Sequence, residues 1–318
     1  MKRKSIAAPA AVACTLLAAT SQARTADVTF ERLRNPEPHN WLMHHRDYGA
    51  QHFSPLNTIN RSNVKNLKLA FAVALGGTSA NENLLATPLV DDGFMYMVDA
   101  WGVVYKIDLR SGTMGRILWK MDPGQEKIDR NRGVALWGNL VVSVTSHDGR
   151  VIATDKETGK IVWDRNLRDQ PDMTLNAAPL ALADKIIIGA SGGDQGVRNW
   201  LVALDAKTGN VLWKTYAIPA PGEPGSETWK DKHNAWQTGG GAFYVTGSYD
   251  PDTTSPIGAP ATRRRNTIRP TGPATISTPT ARSRSTRRPA RFAGTISTRR
   301  TTRWTTTRAA ATSSSTRR

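Results

Sequence analysis

A pattern of ten residues that returns about every 50 residues constrains this chain more than any other feature. Its clearest copy is Thr154-Asp155-Lys156-Glu157-Thr158-Gly159-Lys160-Ile161-Val162-Trp163. Asp155 and Thr158 can bond nearby backbone, Gly159 tolerates a positive φ, and Ile161-Val162-Trp163 resumes a β-rich run. The unit therefore reads as strand, tight turn, strand. Leu204 to Trp213 repeats it, with Asp205, Thr208 and Gly209 at the same offsets. Ile107-Asp108-Leu109-Arg110-Ser111-Gly112, running on to Ile117-Leu118-Trp119, precedes both. One such turn is an ordinary hairpin. Three in succession, each closed by Trp, predict an all-β fold: a β-propeller with one four-stranded blade per repeat and the Trp packed between blades.

Around the repeats the chain divides into three parts. Residues 1–23 have the form of a signal peptide, with a basic start at Lys2-Arg3-Lys4, an apolar run from Ile6 to Ala19, and small residues at Ser21-Gln22-Ala23. The apolar run is short and broken by Pro9, which argues against a membrane span and for export. Cys14 is the only cysteine, so the mature protein has no disulfide. Residues 24–253 have the composition of a folded domain. Apolar runs such as Phe94–Val98, Leu140–Val144 and Lys185–Ile188 are bounded there by Gly, Asp and Asn. Helical period is confined to Ser62–Leu69. Aromatic residues cluster with Gly and not with Lys or Arg, so no nucleic-acid partner is expected.

Residues 254–318 differ in kind. They hold 15 Arg and 17 Thr but no Asp, Glu, Lys, Leu, Val or Tyr, whereas all 26 acidic residues lie earlier beside 28 Lys and Arg. A disordered basic tail is one reading. Translation out of frame fits better. If the frame has slipped forward by one base, the codons from Ser285 to Gly294 permit Leu-Asp-Ala-Glu-Thr-Gly-Lys-Ile-Arg-Trp, a fourth copy of the repeat. The same operation around Ser255 to Arg263 permits Leu-Thr-Tyr-Trp-Gly-Thr-Gly-Asn-Pro.

Two segments carry candidate chemistry. Gly189-Ala190-Ser191-Gly192-Gly193-Asp194-Gln195-Gly196-Val197-Arg198 follows the apolar Ile186-Ile187-Ile188. Its small residues let backbone approach a flat ligand, Ser191 offers a hydroxyl, and Asp194 offers a carboxylate to a hard cation. Trp236-Gln237-Thr238-Gly239-Gly240-Gly241 is a second Gly-rich turn, near the amides of Asn234 and Gln237. Both segments also read as ordinary blade connections.

Taken together, the Asp-x-x-Thr-Gly-x-x-x-Trp repeats, Gly189–Arg198, and Trp236–Gly241 ahead of Tyr249-Asp250-Pro251 resemble the methanol/ethanol dehydrogenase family of periplasmic quinoproteins. The resemblance runs from about Asn35 to Thr253, and out of frame to the end. It implies an eight-bladed propeller, here its N-terminal blades, that holds pyrroloquinoline quinone (PQQ) and a calcium or lanthanide ion. It also implies that Arg132, in Asn131-Arg132-Gly133, contacts the quinone and that Ser191, Gly192 and Gly193 line it. Asp194 would be a metal ligand where the family usually has Glu. Tyr244 falls where a Trp usually stacks on the quinone and Asn176 where Thr is usual; for both, ordinary blade packing is the rival reading. Two departures stand out. The family's adjacent cysteine pair would fall at Glu126-Lys127, and Leu85 replaces a quinone-contacting Glu, leaving Glu82 as the substitute.

The family's second metal ligand, an Asn, corresponds to the codon read as Thr262, and its catalytic Asp to the codon read as Thr305. Trp304 ends in G, so the restored codon at Thr305 is G-A-C, Asp. The codon read as Thr307 also permits Asp, the arrangement of the lanthanide-using branch. By resemblance, the parent enzyme oxidises a small primary alcohol to an aldehyde and passes electrons to a cytochrome c. As it stands, the chain lacks the base and roughly half the blades of such a propeller, so no alcohol oxidation is expected. The rival expectation is a non-catalytic propeller that binds protein partners, which Leu85 and the missing cysteine pair favour. His44-His45 and the other histidines lack metal-ligand spacing.

Overall fold

The computed structural model describes residues 25–76, 82–228, 233–238 and 240–251, together with the backbone of 275–277 and 295–297. Residues 1–24, Gly239, Thr262 and Thr305 lie outside the described residues, so the signal-peptide expectation falls outside them too. Of the Arg/Thr-rich stretch, only a short antiparallel pair, Thr275–Ser277 with Thr295–Ser297, is described.

Each repeat forms one four-stranded antiparallel meander. The first blade comprises β1 (Leu89–Asp91), β2 (Phe94–Val98), β3 (Val104–Asp108) and β4 (Arg116–Met121). The second comprises β5 (Ala135–Trp137), β6 (Leu140–Val144), β7 (Arg150–Asp155) and β8 (Ile161–Asn166). The third comprises β9 (Leu180–Ala181), β10 (Lys185–Gly189), β11 (Trp200–Asp205) and β12 (Val211–Tyr216). In every blade the ladder between third and fourth strands shifts register at the same point: Lys106/Ile107, Ala153/Thr154 and Ala203/Leu204. A bulge there increases the local twist.

The repeated turn joins the third strand to the fourth, and its side chains explain its sequence. Asp155 Oδ1 accepts from the amides of Glu157 at 3.1 Å and Thr158 at 2.7 Å, and from Thr158 Oγ1 at 2.8 Å. Asp205 makes the same three bonds, with Lys207 and Thr208. The bonds from Thr208 hold the Asp205 carboxyl below the usual carboxylate range. Gly159 and Gly209 close the turns at φ 73° and 71°.

These glycines are also seats for tryptophan. A Cβ on Gly159 would stand 2.8 Å from Trp119 Cδ2, and one on Gly209 would stand 2.6 Å from Trp163 Cε3. Trp119 Nε1 donates to the Lys156 carbonyl and Trp163 Nε1 to the Ala206 carbonyl, each at 3.2 Å. The Trp of one blade therefore lies on the turn of the next, which fixes the order of the blades around the arc. A continuous apolar core runs between them, including Val98 and Val104, Val142 and Ile152, Ile186 and Val202.

The N-terminal segment straps the first two blades together. Val28 bridges to Gly138 and Trp41 to Val90. Between these bridges lies a short helix, α1 (Phe30–Arg34), capped by Thr29 and burying Leu33. Fully buried Asp91 accepts from Lys156 Nζ at 2.8 Å and from Arg32 Nη2 at 2.9 Å. Lys106 Nζ reaches Glu157 Oε2 at 2.6 Å. The helical period at Ser62–Leu69 yields only a 3₁₀ turn, Val64–Asn66. Side chains there compete for the backbone: the Asn60 and Ser62 amides donate to Asn63 Oδ1 and Asn60 Oδ1, and Asn63 Nδ2 donates to the Thr58 carbonyl.

Candidate functional site

A meander has two sets of connections at opposite ends. The Asp-x-x-Thr-Gly turns occupy one end. The blade-to-blade crossings, β4–β5 and β8–β9, share the other end with the β6–β7 and β10–β11 loops. A cleft of about 600 Å³ opens at this second end, lined by residues of all four connections and by Ala242 and Tyr244 after β12. Arg132, Asn176, Ser191, Gly192, Gly193, Asp194 and Tyr244, the seven residues singled out in the sequence, all line it.

Arg132 is set by its neighbours. Buried Asn131 donates from Nδ2 to the Val144 carbonyl at 2.9 Å and accepts the Gly133 amide at 3.1 Å, which clamps the loop on both sides of Arg132. The Arg132 amide and Nη1 both donate to the Asn176 carbonyl, each at 3.2 Å. Its guanidinium carbon lies 5.3 Å from the centre of the Tyr244 ring, close enough for a cation–π contact. Among the described residues no carboxylate pairs with it. Burial accordingly pushes its pKa down from the ordinary arginine value.

The wall opposite is made of backbone. Ser191 and Thr174 exchange both amide–carbonyl bonds, at 2.8 and 3.1 Å, so the β10–β11 loop is pinned against the crossing that carries Asn176. Gly192 adopts φ 103°, and a Cβ there would stand 2.4 Å from the Asp172 carbonyl oxygen. A Cβ on Gly193 would stand 3.0 Å from Gly240 Cα. A side chain at Gly192 would clash with backbone, and one at Gly193 would crowd Gly240. Asp194, in the 3₁₀ turn Gly193–Gln195, is exposed.

Two buried polar atoms in this lining, Ser191 Oγ and Asn176 Oδ1, have no hydrogen-bond partner. Unpaired buried polar atoms are costly, which marks this part of the lining as a place where polar groups are left unsatisfied. Sequence reasoning missed several lining residues. Lys127, Arg130, His147 and Arg168 bring further basic groups to the mouth, and Asp129 and Asp172 bring carboxylates. None carries a local motif; only the crossing geometry brings them to the cleft. Nor did the sequence show that His44, His45 and His52 gather beside this region. His45 Nδ1 lies 2.8 Å from His52 Nε2, and His44 meets the Arg132 backbone. Burial lowers the His44 pKa to about 4. Among the described residues no group of three or more His, Cys, Asp or Glu side chains is arranged to hold a metal ion.

The profile of the PQQ family, described as the glucose/ethanol/alcohol dehydrogenase β-propeller domain, matches residues 41–260. The chain belongs to this family. Quinohemoprotein alcohol dehydrogenase ADH IIB of Pseudomonas putida is 37% identical over 232 residues, covering 67% of this chain and 32% of the relative. The quinohemoprotein alcohol dehydrogenase of Comamonas testosteroni is 36% identical over 245 residues, 70% of this chain and 33% of the relative. Among solved structures, a europium-containing methanol dehydrogenase superposes with a TM-score of 0.61 at 31% identity, over 70% of this chain and 42% of its own. This PQQ propeller thus spans about a third of the length of the curated relatives it matches. PQQ with calcium or a lanthanide is the cofactor pair that goes with the family.

Proposed function

We propose that the cleft is one side of a PQQ site and that the chain is the N-terminal portion of an exported quinoprotein alcohol dehydrogenase. The observation that carries this is the convergence of an Arg132 without a salt bridge among the described residues, two unpartnered polar atoms and a glycine wall on one cleft of a PQQ-family propeller. PQQ is flat and acidic. Arg132 supplies positive charge and N–H donors to it, at a position fixed by Asn131, Asn176 and Tyr244. Ser191 Oγ and Asn176 Oδ1 satisfy its polar edge, while Gly192 and Gly193 let the ring lie against backbone. Tyr244 serves here as a support for Arg132 as well as an aromatic wall.

Asp194 is the residue of this set suited to a calcium or lanthanide ion, both of which take oxygen ligands. It is one ligand only; a second, an Asn, is assigned to the codon read as Thr262, and the catalytic Asp to the codon read as Thr305. When bound, the quinone and its metal supply hydride acceptance and Lewis-acid polarisation. The residues described here bind, orient and exclude water; the general base is not among them. We further propose that residues 1–23 direct export and that 254–318 are read out of frame. The family match, which stops at residue 260 close to the change in composition, supports the second point.

The test is repair of the gene by one base near Thr253-Thr254, followed by reconstitution with PQQ and calcium or lanthanum. The repaired protein is expected to reduce a dye when given a primary alcohol, and the present chain is not. Saturable PQQ binding without alcohol-dependent reduction would favour the non-catalytic propeller instead.

A further inference from the structure

The cleft has an annex. A cavity of about 160 Å³ opens beside it, lined by Glu126, Lys127, His147, Asp148 and Arg168. Three of these side chains, Lys127, His147 and Arg168, line the cleft as well. The partition between the two spaces is therefore an ammonium, an imidazole and a guanidinium. The carboxylates divide to either side of it: Glu126 and Asp148 line the annex alone, and Asp129, Asp172 and Asp194 the cleft alone. Asp129 lies 3.9 Å from Arg130, and Asp148 acts electrostatically on Arg150. Among the described residues no salt bridge engages Lys127, His147 or Arg168.

Buried side chains hold this partition in place. Buried Gln125 donates from Nε2 to the Lys127 carbonyl at 2.5 Å and to the Ala100 carbonyl at 3.2 Å, and its Oε1 accepts the Ser146 amide at 2.7 Å. Buried Ser146 in turn donates from Oγ to the Arg130 carbonyl at 3.0 Å. These bonds tie the β4–β5 crossing, which carries Lys127, to the β6–β7 turn, which carries His147. Gly149 brings Arg168 to the same turn: a Cβ on it would stand 2.8 Å from Arg168 Cβ, and its carbonyl accepts the Leu167 amide at 2.9 Å. The Arg168 guanidinium donates from Nε to the Gln170 carbonyl at 3.3 Å and from Nη2 to the Pro171 carbonyl, which leaves Nη1 for a ligand. Cations placed in advance by such bonds give up little freedom when an anion binds.

We propose that the annex is a carboxylate subsite, and that the substrate is a primary alcohol whose far end carries a carboxylate. That carboxylate seats against Lys127, His147 and Arg168 through charge-assisted hydrogen bonds, while the hydroxyl stays in the cleft. Size agrees with this division. The annex has about half the ~300 Å³ at which pockets for whole ligands begin, so it takes one end of a small molecule. The alcohol follows from the quinoprotein reading proposed above, whereas the carboxylate follows from the annex alone.

The experiment titrates 4-hydroxybutyrate, butyrate and 1-butanol into the full chain at pH 7 and low salt, with calorimetric detection. The two carboxylates are expected to bind, and 1-butanol at least tenfold more weakly. Lys127→Gln and Arg168→Gln should each weaken 4-hydroxybutyrate at least tenfold. Lys127 is exposed, so its change should leave the unfolding transition in place even where Arg168, packed on Gly149, proves more sensitive. Saturating the chain with PQQ and calcium beforehand should keep 4-hydroxybutyrate binding within threefold. Its loss there would give the annex to a carboxylate of the quinone and overturn the substrate assignment. Equal affinity for 1-butanol and 4-hydroxybutyrate, indifference to Lys127→Gln, or no carboxylate binding would overturn the subsite itself. Arg132→Gln separates the two readings, since it should lose PQQ and keep 4-hydroxybutyrate. A parent chain that held 4-hydroxybutyrate through Lys127 but bound no PQQ would remove the quinoprotein reading, and the alcohol with it, while the carboxylate subsite stood.

Discussion

Gly159→Ala and Gly112→Ala make the same chemical change in the same turn of two blades, and the structure assigns them different costs. Gly112, Gly159 and Gly209 sit at φ 69°, 73° and 71°, so the backbone penalty of a Cβ is common to all, about 1–2 kcal/mol. What differs is the space. Nothing lies within 4 Å of a Cβ on Gly112, whereas one on Gly159 meets three atoms of the Trp119 ring within 3.0 Å. Trp119 is held by its bond to the Lys156 carbonyl and cannot retreat without losing it. Overpacking of that kind costs a further ~1–3 kcal/mol. Domains of this size shift by about 2–4 °C per kcal/mol. Gly112→Ala should therefore lower the Tm by about 3–6 °C, and Gly159→Ala by about 10 °C. Tryptophan fluorescence during thermal unfolding reads both. In a Trp119→Leu background the extra cost of Gly159→Ala should disappear, since the two positions are coupled only through the ring. Equal shifts for Gly112→Ala and Gly159→Ala would refute the seat.

Three further outcomes are expected. In the repaired protein loaded with PQQ and metal, Asp194→Ala should abolish metal-dependent dye reduction and Asp194→Glu should retain it; an unchanged metal titration of the Ala variant would make the turn purely structural. Sequencing through the codons for Asp252 to Pro256 should reveal the slipped base and a long frame with further Asp-x-x-Thr-Gly repeats, whereas an early stop without repeats would remove the frame-slip reading. His44, held neutral by burial with a pKa of about 4, binds its proton more readily when unfolded. Stability is therefore complete above about pH 6.5 and falls as the pH drops towards 4. His44→Asn should flatten that part of the urea-midpoint profile, and an unaltered profile would show that His44 does not cause it.

Much of the architecture was legible because it rests on local chemistry. Asp155, Thr158 and Gly159, like Asp205, Thr208 and Gly209, act within five residues of one another, and Trp163 and Trp213 both stand eight residues after the Asp, so a repeat in sequence became a repeat in structure. The candidate site was legible for a different reason. Gly192 and Gly193 are dictated by close backbone approaches, and Arg132, Ser191 and Asp194 were placed through resemblance. What the sequence hid is non-local. Helix α1 is only one turn longer than noise in a hydrophobic pattern, and it is fixed by Leu33 packing and by Arg32 reaching Asp91 about 60 residues away. The basic mouth of the cleft, with Lys127, Arg130, His147 and Arg168, comes together only because crossings of different blades open at the same end. The histidine cluster has no signature in the sequence, since the chain reversal that brings His52 to His45 has no motif.

Occupancy of the cleft by PQQ is tested most directly by titrating PQQ, with calcium or lanthanum, into the chain and into its Arg132→Gln variant while following tryptophan quenching. Hydrogen bonds to a charged group contribute about 1.5–3 kcal/mol, so loss of Arg132 should weaken binding by roughly 10- to 150-fold. The unfolding transition should stay in place, because Arg132 lies in a blade crossing outside the apolar core. Saturable quenching by the parent chain with that loss in the variant is the expected result. Equal affinity in both proteins, or no saturable binding by the parent, would contradict the assignment of this cleft to the quinone.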